Sequence, residues 1–162
     1  MALLKILTEN DPTLRKKSKP VGEVTDRIRT LLDDMAETMC HAEGVGLAAP
    51  QVGVLRRVVV VECVPGELIE LIDPVIVESM GLQRTREGCL SLPGKCGITE
   101  RPMKVTVEAT NRNGERFRIS GSGLLAKAFC HELDHLDGIL YSDVATKMLT
   151  PEEIRRMNRE EE

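Results

Sequence analysis

The sequence predicts an α+β fold, with small antiparallel or mixed sheets packed around a central helix, and three observations support it. Residues 25–42 carry apolar side chains every three or four positions, the period of an amphipathic helix. Several segments rich in β-branched residues follow. Residues 122–136 again have helical spacing and contain the motif His-Glu-Leu-Asp-His. Helix, strands and helix in this order favour the α+β class.

The helix boundaries are predicted from capping residues. Thr25 is a suitable N-cap for the first helix, and Gly44 marks its end. The central helix is expected to end at Gly138. A third, polar helix should occupy the C-terminus, because Thr150 can cap it and Pro151 suits the first helical position.

Five segments are predicted to be strands and two to be irregular. The strands are residues 57–63, 68–72, 75–78, 105–110 and 115–120. The last two flank Asn-Arg-Asn-Gly at positions 111–114, which indicates a hairpin. Residues 44–51 and 87–94 are rich in glycine and proline, so we expect irregular backbone that another molecule can approach closely.

Length and composition limit the classes of function. A chain of 162 residues fits one domain, residues 1–162. The net charge of −4 gives no general attraction for nucleic acid or anionic lipid. Phe117, Phe129 and Tyr141 are the whole aromatic content, which leaves no row of platforms for stacking bases.

Location is predicted from the same features. No segment approaches the roughly 18 apolar residues that span a bilayer, and the N-terminus resembles neither a signal nor a transit peptide. The five cysteines form an odd set without a Cys-x-x-Cys pair, which favours free thiols or metal ligands over disulfides. We therefore expect a cytoplasmic protein without membrane association.

The motif at residues 131–135 predicts a metal site. His131 and His135 are four residues apart, so on a helix both imidazoles can reach one ion. Glu132 would project beside them toward a water molecule on that ion. The competing interpretation, a surface helix with incidental histidines, does not explain why both share the apolar face with Leu124 and Ala128.

A catalytic metal normally has three protein ligands and one open position. No histidine follows His135, and Asp137 and Asp143 lie beside the predicted helix end. Upstream, Cys89 stands in an irregular segment, where its thiolate would be a good ligand. A lone cysteine is more often a small core residue, so the spacing alone does not assign it.

Three segments together resemble the signature motifs of peptide deformylases. They are GVGLAAPQ at residues 44–51, EGCLSLP at residues 87–93 and HELDHLDG at residues 131–138. They occur in the order and at the separations found in that family. The resemblance implies hydrolysis of the formyl group from N-formylmethionine at the start of new polypeptides, a co-translational step of protein biosynthesis that releases formate.

The resemblance also implies roles for individual residues. Cys89, His131 and His135 would be the metal ligands, Glu132 the general acid–base group, and the Gln51 side chain with the Leu90 N–H the oxyanion donors. Substrate would bind at Gly44, Val45, Gly46, Glu87, Gly88, Leu124 and Ala128. The family usually holds one ferrous ion per chain and accommodates zinc or nickel; the donor set suits cobalt as well.

Four features depart from the family pattern or extend it. Cys130 replaces a glutamine of many relatives, and Cys96 lies near the position of a peptide-binding arginine. An ion pair between Arg101 and Glu43 is expected to support the site. The C-terminal helix is short and ends in three glutamates, unlike the basic tail of ribosome-docking relatives. We expect transient proximity to the ribosome through the nascent peptide, no nucleic-acid contact, and a monomer.

Other classes of protein stay open from the residues alone. A zincin-type protease would need a third ligand after His135. A structural zinc site would need a fourth ligand from His41, Cys40 or Cys130. Two further alternatives are a catalytically inactive member of the family and a hydrolase that uses Cys89 as its nucleophile.

Overall fold

A computed structural model describes residues 2–160. Glu161 and Glu162, the end of the acidic tail, lie outside the described residues. The helices are α1 (Asp26–His41), α2 (Leu124–Leu136), α3 (Tyr141–Val144) and α4 (Pro151–Glu160). The strands are β1 (Gly46–Ala48), β2 (Val58–Val61), β3 (Ile69–Met80), β4 (Gln83–Glu87), β5 (Gly97–Arg101), β6 (Lys104–Thr110), β7 (Arg116–Ser122) and β8 (Lys147–Met148). The predicted α+β class is confirmed.

Two antiparallel sheets make up the β-structure of the described residues. The larger has the order β1-β2-β3-β6-β7, and the smaller has the order β4-β5-β8. The hairpin predicted around residues 111–114 is confirmed as β6–β7, in which Thr110 pairs with Arg116. The two strands predicted at residues 68–72 and 75–78 are one strand, β3, whose register shifts between Ile72 and Val75.

Helix α1 begins as its capping residue predicts. The Thr25 hydroxyl accepts a hydrogen bond from the Ile28 N–H, at a donor–acceptor distance of 3.4 Å. One face of the helix buries Leu32, Met35 and Met39 completely. These side chains pack against one face of the larger sheet, including Val58 and Val60 of β2 together with Leu47 and Ile72. The first predicted helix therefore holds one side of the sheet that leads into the site.

Helix α2 lies on the opposite face of the same sheet and is the centre of the fold. Its residues Phe129, Leu133 and Leu136 are buried against a group of sheet residues. That group includes Val59, Val61, Leu71, Val105 and Val107. The helix ends at a Schellman motif, because the Gly138 N–H bonds the His135 carbonyl and the next N–H bonds the Asp134 carbonyl. A Cβ at Gly138 would lie 2.5 Å from the Arg15 carbonyl oxygen, so only glycine fits there.

The segment predicted to be irregular after α1 is partly regular. Its first half is strand β1, which pairs with β2, and its second half is a 3-10 turn at Ala49–Val52. Strands β4 and β5 were not predicted. Their charged residues, such as Arg84 and Glu100, conceal the alternation of buried positions. Within residues 2–160, none of the helices combines the length and the apolar character needed to cross a membrane.

Candidate metal centre and active site

Cys89, His131 and His135 come together at one end of a cavity. Their ligand atoms all lie within 4.8 Å of one another, and Cys89 Sγ is 3.4 Å from His135 Nε2. A tetrahedral ion with bonds of about 2.0–2.3 Å holds its ligand atoms roughly 3.3–3.8 Å apart, so small side-chain shifts would let the three donors hold one divalent ion. The histidines stand on consecutive turns of α2, while Cys89 stands in the loop after β4. The metal group predicted from the sequence is thus present as a geometric unit.

The second nitrogen of His131 is fixed by a carboxylate. His131 Nδ1 lies 2.6 Å from Glu87 Oε2, so its Nε2 is left for a metal. Burial alone would raise the pKa of Glu87, but the hydrogen bonds from His131 and Arg101 outweigh it and lower that pKa to about 2. An ionised carboxylate at this place orients the imidazole and makes it a better ligand.

The two histidines have different electrostatic surroundings. Burial, with a smaller contribution from the charge of His131, lowers the pKa of His135 to about 3, so its imidazole is neutral at pH 7 and suited to bind a metal. Burial also opposes the charged form of His131, but Glu132, Cys89 and Glu87 hold the pKa of His131 well above its usual range. A divalent ion would compete with that proton for the same nitrogen.

Arg101 supports the site through a partner that was not predicted. Its guanidinium donates to both oxygens of Glu87, at 3.1 and 2.8 Å, and to Asp134 Oδ2 at 2.7 Å. The predicted ion pair between Arg101 and Glu43 is therefore wrong. Thr99 donates a further hydrogen bond to Glu87 at 2.8 Å. Buried charges need such partners, so strands β4 and β5 and helix α2 are held together by one network.

Glu132 is the buried acid–base candidate. Its side chain is almost fully buried, and its Oε1 has no hydrogen-bond partner among the described residues. Burial raises the pKa of Glu132 to about 7, opposed by the charge of His131. A carboxyl group that titrates near neutrality can both accept and return a proton. Its Oε2 lies 4.0 Å from His131 Nε2, beside the metal group.

Gln51 is fixed beside the thiol of Cys89. The Ala48 N–H donates to Gln51 Oε1 at 2.9 Å, which leaves the amide nitrogen turned toward Cys89 Sγ, at 3.6 Å, and Ser91 Oγ, at 3.1 Å. The side chain is 1% exposed. Its amide group is thus a preorganised donor at the edge of the metal group.

The cavity has a volume of about 380 Å³ and brings together the predicted site residues. Apart from His135, all of them line it: Gly44, Val45, Gly46, Gln51, Glu87, Gly88, Cys89, Leu90, Leu124, Ala128, His131 and Glu132. Val45 is 42% exposed and Leu124 49% exposed, so both stand at an open part of the cavity. The prediction that Leu124 shares a buried face with His135 is wrong, because Leu124 lies toward the entrance.

Two glycines are needed for reasons within the protein itself. A Cβ at Gly46 would lie 2.5 Å from Glu132 Oε2, and one at Gly44 would lie 2.7 Å from the Leu90 side chain. A Cβ at Gly88 would meet only the Lys95 carbonyl oxygen, at 3.6 Å. The expectation that another molecule can approach the backbone of residues 44–51 closely is therefore incomplete at Gly46, because the Glu132 side chain of the protein itself already lies there.

Sequence reasoning missed several residues of the site. Lys127, Arg86 and Glu43 also line the cavity. The Tyr141 ring stacks on His131 with centroids 6.0 Å apart. Lys127 lies three residues after Leu124 and four before His131, and this helical spacing could have predicted that it shares their face of the helix. Tyr141 approaches through α3, and no pattern in the sequence indicated that contact.

Comparison with known proteins decides between the open classes. The family model of polypeptide deformylase matches residues 3–150. The chain belongs to the polypeptide deformylase family. It is 55% identical over 156 residues to a peptide deformylase of Acetivibrio thermocellus, an alignment that covers 96% of this chain and 91% of the relative. A peptide deformylase of Alkaliphilus metalliredigens is 54% identical over 147 residues, covering 91% of this chain and 99% of the relative.

Solved structures of the family share the fold. The crystal structure of a peptide deformylase from Legionella pneumophila has a TM-score of 0.86 and 44% identity, covering 98% of this chain and 92% of that one. A peptide deformylase from Synechococcus elongatus in complex with actinonin has a TM-score of 0.85 and 36% identity, covering 94% and 82%. The chain is accordingly an enzyme of a metal-dependent hydrolase family.

Proposed function

We propose that residues 1–162 act as a single catalytic domain that removes the formyl group from N-formylmethionyl ends of newly made polypeptides and releases formate. One observation carries the proposal. The cavity is lined by Cys89 and His131 of a Cys–His–His donor group and by Glu132, a buried carboxyl group whose pKa is raised to about 7. This combination suits hydrolysis of a small amide, which needs a nucleophile, a stabilised oxyanion and a proton for the leaving amine.

Cys89, His131 and His135 would hold one divalent ion. The mixed thiolate–imidazole set suits ferrous iron, zinc, nickel and cobalt, and from family resemblance we assign ferrous iron. Such an ion supplies hydroxide at neutral pH by lowering the pKa of a water molecule. His41, Cys40 and Cys130 are not part of this donor group, which supports a three-ligand catalytic site over a four-ligand structural one.

The protein residues supply the remaining chemistry. Glu132 takes the proton of the attacking water and returns it to the departing amine, which its near-neutral pKa allows. The Gln51 amide and the Leu90 N–H donate hydrogen bonds to the oxyanion that develops from the formyl oxygen. Loss of one such donor commonly costs about 3 kcal/mol of transition-state stabilisation.

The substrate would bind along the backbone of Gly44, Val45 and Gly46 on one side and Gly88 on the other. Val45, Leu124 and Ala128 would contact the methionine side chain. Glu87 was expected to share in that pocket. We instead assign its carboxylate to holding His131, since both of its oxygens already bond Arg101.

The partners follow from the reaction. We propose that the chain works as a cytoplasmic monomer on nascent peptides, close to the ribosome only transiently and without its own nucleic-acid surface. The described part of α4 carries Arg155, Arg156 and Arg159 between acidic residues. This mixed charge supports no strong electrostatic attachment to RNA.

The test is formate release from formyl-Met-Ala-Ser by anaerobically purified protein of measured metal content. We expect metal-dependent release that is lost in Cys89→Ser and Glu132→Ala. Cys96→Ser is the matched control, because Cys96 lies outside the donor group and should leave the rate unchanged. Absence of formate from protein with one metal per chain would contradict the proposal, and cleavage of internal peptide bonds instead would favour a protease.

A further inference from the structure

Lys127 places a positive charge in the wall of the cavity. It lies three residues after Leu124 and four before His131 on α2, and it lines the cavity next to Ala128. The side chains expected to contact methionine, Val45, Leu124 and Ala128, are apolar. The half-buried Lys127 adds a positively charged hydrogen-bond donor next to them.

The ammonium is held in place by strand β4. Lys127 Nζ donates to Thr85 Oγ1 at 3.0 Å and to the Arg86 carbonyl oxygen at 2.8 Å. Lys127 thus bridges the helical wall of the cavity to the strand wall. An ammonium group has three N–H donors, so these two bonds leave one for a further acceptor.

Lys127 and Ala128 are consecutive residues of α2, and both line the cavity. A first side chain that packs on Ala128 therefore binds next to Lys127.

We propose that Lys127 contributes to the choice of first side chain, and that it favours side chains ending in a hydrogen-bond acceptor, such as methionine sulfoxide, over side chains of the same length without one. The inference rests on the proposed deformylation and specifies its substrate class. A sulfoxide oxygen is a strong acceptor for the remaining N–H, whereas a thioether sulfur is a weak one. Norleucine, which has methionine's length and no acceptor, would leave that donor without a partner.

A structural role for Lys127 makes a different prediction. If the residue only ties α2 to β4, its removal changes the cavity for every substrate alike. If it contacts the tip of the first side chain, its removal changes the ratio between substrates. The ratio of kcat/KM values, rather than any single rate, is therefore the informative quantity.

The experiment compares formyl-Met-Ala-Ser with its methionine-sulfoxide and norleucine analogues in wild type and Lys127→Met. We expect the sulfoxide-to-norleucine ratio of kcat/KM to fall about tenfold or more in Lys127→Met, as for a lost hydrogen bond to a charged group. Lys127→Arg should retain most of the wild-type ratio. Lys17→Met, a change at an exposed lysine outside the cavity, should leave it unchanged.

The outcomes separate this inference from the proposed function. A ratio that is the same in wild type and Lys127→Met overturns the specificity role, even when formyl-Met-Ala-Ser is hydrolysed well. If the wild type releases no formate from any of the three peptides, the proposed function itself fails. If Lys127→Met does not fold, Lys127→Gln takes its place. Its sulfoxide-to-norleucine ratio of kcat/KM should be lower than that of the wild type, because a neutral amide is a weaker donor than an ammonium group.

Discussion

The carboxylate of Glu132 lies against the backbone of Gly46, so that a Cβ at residue 46 would come within 2.5 Å of Glu132 Oε2. The pair joins two elements, since Gly46 opens β1 and Glu132 stands on α2. The position of the proposed acid–base group thus depends on a residue that has no side chain.

Gly46→Ala should displace Glu132 and leave the metal group intact. A misplacement of about 1 Å can cost a hundredfold in rate, so we expect kcat/KM for formyl-Met-Ala-Ser to fall by about that factor. Steady-state kinetics with metal analysis measures both effects. Gly88→Ala is the matched variant, because its Cβ would make only an ordinary contact with Lys95, and its melting temperature should equal that of wild type. Wild-type kcat/KM in Gly46→Ala would contradict the role of this contact.

Arg101→Leu should be strongly destabilising. It leaves Asp134 without a cationic partner and leaves the buried Glu87 with His131 alone, and breaking a buried pair from one side commonly costs about 3–5 kcal/mol. Urea unfolding measures the loss in the free energy of unfolding. Arg118→Ala is the control, because Arg118 is 62% exposed in its pair with Glu108 and should cost less than about 1 kcal/mol. Equal effects in the two variants would argue against the buried network.

The stability of the protein should depend on pH through Glu87. The folded pKa of Glu87 is about 2 and its ordinary value is 4.5, so its contribution is complete above pH 4.5 and is lost as the pH falls toward 2. The shift corresponds to about 3 kcal/mol of the free energy of unfolding. In chelator-treated protein, Glu87→Gln should have a lower free energy of unfolding than the wild type at pH 6. Between pH 4.5 and 2, its free energy of unfolding should fall by less than that of the wild type. Parallel acid-unfolding curves for the two proteins would exclude this contribution.

Metal removal should lower the melting temperature of the wild type. The predicted ligands come from the loop after β4 and from α2, so an ion binds the folded arrangement and not the unfolded chain. Calorimetry with and without a chelator measures the shift, which should grow with the free metal concentration. Cys89→Ser should show a much smaller shift, whereas Cys96→Ser should behave as the wild type. An unchanged melting temperature in chelator would argue against metal binding at this site.

The sequence identified the metal group and the acid–base candidate because their signals are local. His131, Glu132 and His135 lie within one helical stretch, and the segments around Gln51 and Cys89 carry their own motifs. The partners of Arg101 could not be found in this way. They lie 14 and 33 residues away, and they are brought to Arg101 by the pairing of β4 with β5 and by the packing of β5 against α2. Strands β4 and β5 escaped prediction because tertiary pairing, not apolar alternation, stabilises their charged residues.

The cavity lies where β1, an edge of the larger sheet, and β4, an edge of the smaller sheet, face each other across the site. An edge strand exposed to solvent is a template for pairing with other chains and hence for aggregation. Here two of the four edge strands, β1 and β4, line the cavity. The other two edge strands are β7 and β8. Strand β7 carries the charged residues Arg116 and Arg118, and β8 has only two residues. We therefore expect the arrangement that would offer backbone groups to an extended peptide also to disfavour pairing of the sheets of two copies.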